Sequence, residues 1–171
     1  MRVNWVTFGA LTRDEDGTLS SPVASVRYRV LCPVKNIGEA GWRQQIISVL
    51  PGTPAHEREA AAQADVVVFS KSFQAANEHV AIEAIRRGAV VVFDVCDNHY
   101  DNPNIGAHYR KMSTLAHQVV CNTPEMASAA ARYCRRPPMV IEDPYEGARG
   151  VPAFSPRVPL KLLWFGHPTN L

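Results

Sequence analysis

Six apolar runs set the strongest constraint on what this chain can fold into. They read VNWVTF (3–8), DVVVFS (65–70), AVVVFDV (89–95), QVVCN (118–122), MVIED (139–143) and LKLLWFG (160–166). Several are nearly continuous, and valine dominates the middle ones. Antiparallel strands with one wet face alternate apolar and polar residues, whereas strands covered on both faces do not. These runs therefore read as buried parallel strands.

Helical segments lie between them. Val23, Val26, Val30, Val34 and Ile37 recur at three- and four-residue steps, an apolar stripe on one helix face. Pro33 interrupts the stripe and is expected to kink the helix or start a second one. Thr53-Pro54 and Thr123-Pro124 each offer a capping hydroxyl followed by proline at the first helical position. NEHVAIEAIRRG closes with Arg86 and Arg87 in its last turn and Gly88 as the stop. Residues 42–50 are read as a further strand. Strand and helix thus alternate, which implies a Rossmann-like, doubly wound, mostly parallel α/β sheet with helices on both faces.

Composition works by exclusion. A chain of 171 residues, 46% of them hydrophobic, suits one ordinary domain with a sizeable core. A net charge of +2 with scattered basic residues gives no nucleic-acid footprint. No apolar stretch reaches the length of a membrane span, and MRVNWVTFGALTRDEDG is not a secretory leader. Cys32, Cys96, Cys121 and Cys134 form no CxxC pair, so zinc-ribbon and redox motifs are unsupported. A cytoplasmic location with reduced thiols is expected.

The segment PYEGARGVPAFSPRVP (144–159) has four prolines and no apolar period, the mark of a linker. The expected division is a domain over 1–145, a linker over 146–159, and the first strand of a truncated second α/β domain over 160–171. The other reading makes 160–166 an edge strand of the first sheet.

In open α/β sheets ligands collect at the carboxyl ends of the strands. The side chains that follow strands here are Gly9 and Thr12, Ser70 and Lys71, the loop carrying Asp94, Asp97, Asn98, His99 and Asp101, then Asn122 and Thr123, and last Glu142 and Asp143. His99 with Asp97 or Asp94 has the composition of an acid–base group. Arg27, Arg29 and Lys71 could steady an anion. Each has an ordinary alternative. The aspartates can simply accept backbone N–H bonds at a strand end, and Thr123 can cap a helix. Arg27 and Arg29, two apart, occupy different helix faces, so at least one is expected to be solvated or salt-bridged.

Four segments carry a family likeness: SVRYRVLCPVKNIGEAGW; ADVVVFSKSF with RRGAVVVFDVCDNHYD; HQVVCNTPEMASAAARYC with MVIEDPYE; and LKLLWFGHPTNL. In this order they resemble the N-terminal, acceptor-side half of a GT-B fold glycosyltransferase of the glycosyl transferases group 1 type. The resemblance implies transfer of a sugar from a nucleotide-sugar donor, bound mainly by a second domain, to a sugar, lipid or polysaccharide acceptor bound mainly here. It implies no other cofactor. With that activity, the strand-end positions make His99, Asp97 and Asp94 the expected catalytic residues, and Gly9, Thr12, Lys71, Asn98, Asn122, Thr123 and Glu142, together with Arg27 and Arg29, the expected binding residues. The resemblance also implies peripheral membrane association as one setting for such acceptors, an inactive isolated half, and homodimerisation through surface that the missing half would cover.

Three rivals lack their signatures. No G-x-G-x-x-G follows the first strand, no phosphate loop is present, and no acidic pair follows TFGALT as in a receiver domain. Two rivals remain: a metal-dependent hydrolase built on Asp94, Asp97, His99 and Asp101, and a non-catalytic binding domain.

Overall fold

The valine-rich runs become the middle of one parallel sheet. The computed structural model describes residues 1–7, 11–38, 40–70, 72–144 and 150–151. Its elements are β1 (Arg2–Thr7), a small hairpin of β2 (Thr12–Arg13) and β3 (Leu19–Ser20), and α1 (Ala24–Val26). A π-helical stretch (Arg27–Leu31) then leads into α2 (Cys32–Gly38), β4 (Arg43–Ser48) and α3 (Ala55–Ala62). The chain continues with β5 (Val66–Ser70), α4 (Ala75–Arg86), β6 (Val90–Val95), α5 (Gly106–Leu115), β7 (Gln118–Cys121), α6 (Pro124–Ala131) and β8 (Met139–Val140).

Sheet order is β4-β1-β5-β6-β7-β8 and every pair is parallel. The order reverses between β1 and β5, which is the switch point of a doubly wound sheet. Residues 42–50 hold an edge strand, as read. The expected strand at 160–166 and most of the linker lie outside the described residues.

The two faces are covered unequally. Val67, Phe69, Val91, Phe93 and Val119 pack under α3, α4, α5 and α6 through Ala61, Val80, Ala84, Tyr109, Met112 and Ala130. The opposite face, with Val3, Trp5 and Val68, receives the helix that begins at Ala24. Val26 and Val30 of the predicted stripe are fully buried there, while Val34 and Ile37 pack against the same cluster. Each buried valine contributes about 1.5–3 kcal/mol.

Pro33 acts one turn before its own position. Proline has no N–H to offer the Arg29 carbonyl four residues back. The chain responds by widening to π-type bonding over Arg27–Leu31, and Cys32 N–H reaches back five residues to Arg27. Thr123 Oγ accepts from Met126 N at 3.1 Å, and Pro124 opens α6, as the sequence suggests. Thr53 behaves otherwise: its hydroxyl accepts from Leu50 N at 2.9 Å, and α3 starts without a side-chain cap. Among the described residues no helix is long and apolar enough to cross a membrane.

Candidate functional site

The π-helical stretch turns Arg29 inward, away from the solvated position a charge would normally take in an apolar stripe. Arg29 is only 6% exposed. Its Nε donates to both carboxylate oxygens of Asp94 at 3.1 Å, and its Nη2 donates to Asp94 Oδ1. Nη1 donates to the Ile141 carbonyl at 2.7 Å and to Asp143 Oδ1 at 3.2 Å. Ser70, in register with Asp94 across β5 and β6, donates to Asp94 Oδ2 at 3.0 Å. Asn122 Nδ2 closes the network on Asp143 Oδ2 at 3.1 Å. Four consecutive strand ends of the sheet and the helix opposite are thereby tied together at the carboxyl edge. Burial alone would lower the Arg29 pKa, but the bonds and charge of Asp94 outweigh it and the value is raised.

Beside this clamp lies a groove of about 410 Å³ on the thinly covered face. Trp5, Tyr28, Pro33, Ile37, Val68, Val92, Val120 and Ile141 make its apolar walls, with Arg29, Asp94 and Glu142 also lining it. Its size and its few polar groups are those of a ligand cleft.

The acidic loop sits on the other side of the same strand end. Asp97 is half-buried and accepts from Cys96 Sγ at 3.6 Å; Asn98 Oδ1 accepts from Tyr100 N at 3.3 Å. The His99 ring is half-buried against two aromatic edges, with centroids 5.1 Å from Tyr109 and 5.7 Å from Phe73. Gly106 lets α5 approach this loop: a Cβ there would lie 2.5 Å from the Tyr100 carbonyl oxygen and 3.1 Å from that of His99. Tyr100, fully buried, shares a 2.8 Å hydrogen bond with Ser113.

A second polar cluster escaped the sequence reading. Glu78 on α4 accepts from His108 Nδ1 at 2.8 Å and from Lys111 Nζ at 2.5 Å, while His108 Nε2 meets Ser72 Oγ at 3.2 Å. Burial would raise the Glu78 pKa, but Lys111 and His108 reverse this and hold the carboxyl below its ordinary range. No local pattern announces the cluster, because its members come from a loop and two helices 30–36 residues apart. His117 Nδ1 accepts from Val91 N at 3.0 Å.

The remaining candidates fall at separate places. Thr12 bonds to Ser20 Oγ at 2.6 Å within the β2–β3 hairpin. Arg27 donates to the carbonyls of Ser21 and Pro22 at 3.1 and 3.2 Å, its guanidinium 5.7 Å from the Tyr28 ring centre. Glu142 is exposed at the groove mouth. Gly9 and Lys71 lie outside the described residues. Asp94 faces Arg29 and Asp101 faces Arg132 at 3.4 Å, so the acidic loop's side chains diverge. Among the described residues no three His, Cys, Asp or Glu side chains group as a metal site would require.

The arrangement thus offers a half-buried imidazole, a clamped strand edge and an apolar groove along one rim. No protein-family model matches this chain, and no curated protein matches it.

Proposed function

We propose that this chain is the acceptor-side domain of a GT-B type glycosyltransferase, transferring sugar from a nucleotide-sugar donor to an acceptor hydroxyl at the carboxyl edge of the sheet. The observation that carries the reading is the collection of Arg29, Ser70, Asp94, Asn122 and Asp143 on that one edge, with a groove on one side and His99 on the other. The order of sequence segments adds the family likeness.

In this reading His99 takes the proton of the acceptor hydroxyl as its oxygen bonds to the anomeric carbon. The bond from that carbon to the diphosphate breaks, and the nucleotide leaves with the electron pair. Asp97 supports the imidazole. Arg29 and Asp94 hold the edge rather than reacting, because each is already the other's buried partner. The donor is held by a second domain beyond this sequence, and the acceptor is a sugar, a lipid or a polysaccharide precursor.

The test is a transfer assay on the full-length gene product with a panel of nucleotide sugars. His99→Ala should lower kcat by about 10²–10⁴-fold with little change in donor KM. Residues 1–171 alone should transfer nothing. Transfer by that fragment, or an unchanged kcat in His99→Ala, overturns the assignment.

A further inference from the structure

Ser72, His108 and Glu78 repeat the connectivity of a nucleophile, a base and an orienting carboxylate, yet the burial argues for a different use. Ser72 is 1% exposed and His108 8%, so the hydroxyl has no open face for a substrate. Glu78 also carries Lys111 on its second oxygen. Such a chain holds segments in place.

What it holds is the cradle of His99. Phe73 directly follows Ser72 and Tyr109 directly follows His108. The two rings stack on each other at 5.9 Å with 20° between their planes, and each presents itself to the His99 ring. The Ser72–His108 bond is therefore a tether between the two segments that bear these rings. Glu78 fixes its orientation: a carboxylate only accepts, so Nδ1 carries the proton to Glu78 and Nε2 is turned to Ser72. We propose that His108 is the positioning residue for His99, acting through Ser72 to keep Phe73 and Tyr109 closed on the imidazole. The catalytic importance of this rests on His99 being the base, but the tether itself does not.

Proton NMR of the histidine ring resonances tests the tether in the full chain without any activity. The His99 Cε1 proton, beside two aromatic rings, should be displaced from the position of a solvated histidine. Ser72→Ala and His108→Ala should both return it towards that position, whereas His108→Gln, which can still reach Ser72, should retain most of the displacement. Methyl resonances of Val67 and Val91 report whether the core stays intact. A His99 resonance unmoved in Ser72→Ala with the core intact overturns the proposal, even if His108→Ala fails to fold. If the resonance moves but sugar transfer by the full-length enzyme does not fall, the tether stands and the reading of His99 as base fails.

Discussion

Arg29→Met removes the guanidinium and leaves Asp94 with Ser70 as its one remaining partner of those described above, in a position 7% exposed. Breaking a buried ion pair from one side costs about 3–5 kcal/mol, because the surviving charge keeps its desolvation penalty without its partner. The Ile141 carbonyl and Asp143 lose a donor as well. For a domain of this size each kcal/mol shifts Tm by roughly 2–4 °C, so the expected fall is roughly 6–20 °C. Urea unfolding followed by circular dichroism measures the free energy directly. The double variant Arg29→Met with Asp94→Leu separates the causes. If desolvation of the orphaned carboxylate dominates, the double variant recovers most of the loss, since apolar pairs of similar volume often match a buried ion pair. Arg29→Lys should fall between, keeping the charge but losing the fork that meets both oxygens. A loss below about 1 kcal/mol in Arg29→Met would refute the reasoning, since that is the range of a solvated surface pair.

Three further outcomes follow from the same geometry. Gly106→Ala places a Cβ against the Tyr100 and His99 carbonyls and should cost about 1–3 kcal/mol in urea unfolding, with the His99 loop displaced; near-neutrality would mean the loop is not packed on α5. Glu78→Gln should destabilise most near neutral pH. The native carboxyl titrates below its ordinary value of 4.5, so its contribution is fully present above that value and is lost as pH falls from there through the lower value it has in the folded protein; a wild-type-to-variant gap that persists undiminished into acid contradicts this. Burial pushes the Cys121 thiol up to about 12, so it should resist iodoacetamide at pH 8 in the folded protein and react after unfolding, read by peptide mass spectrometry.

The sheet was legible because its physics is local: a strand buried on both faces must be apolar at every position, and the runs at 65–70 and 89–95 announce this without help from elsewhere. Helix α5 was not legible. Its buried residues are Gly106, His108, Tyr109, Met112 and Ser113, so two polar side chains and a glycine interrupt the inward face and erase the apolar period. The site was half legible for the same reason. Asp94 stands out at the end of a valine strand, and Arg29 stands out inside an apolar stripe, but their pairing spans 65 residues and appears only in the fold. Ser72 and His108 stand 36 apart and carry no mark at all. Arg29, Asp94, Ser72 and His108 are each answered by a distant residue, and every fully buried side-chain nitrogen or oxygen among the described residues has a partner. A polar side chain set against the pattern of its own helix or strand is tolerable only when something elsewhere satisfies it. Such violations are therefore the places where the local pattern ends and long-range pairing takes over.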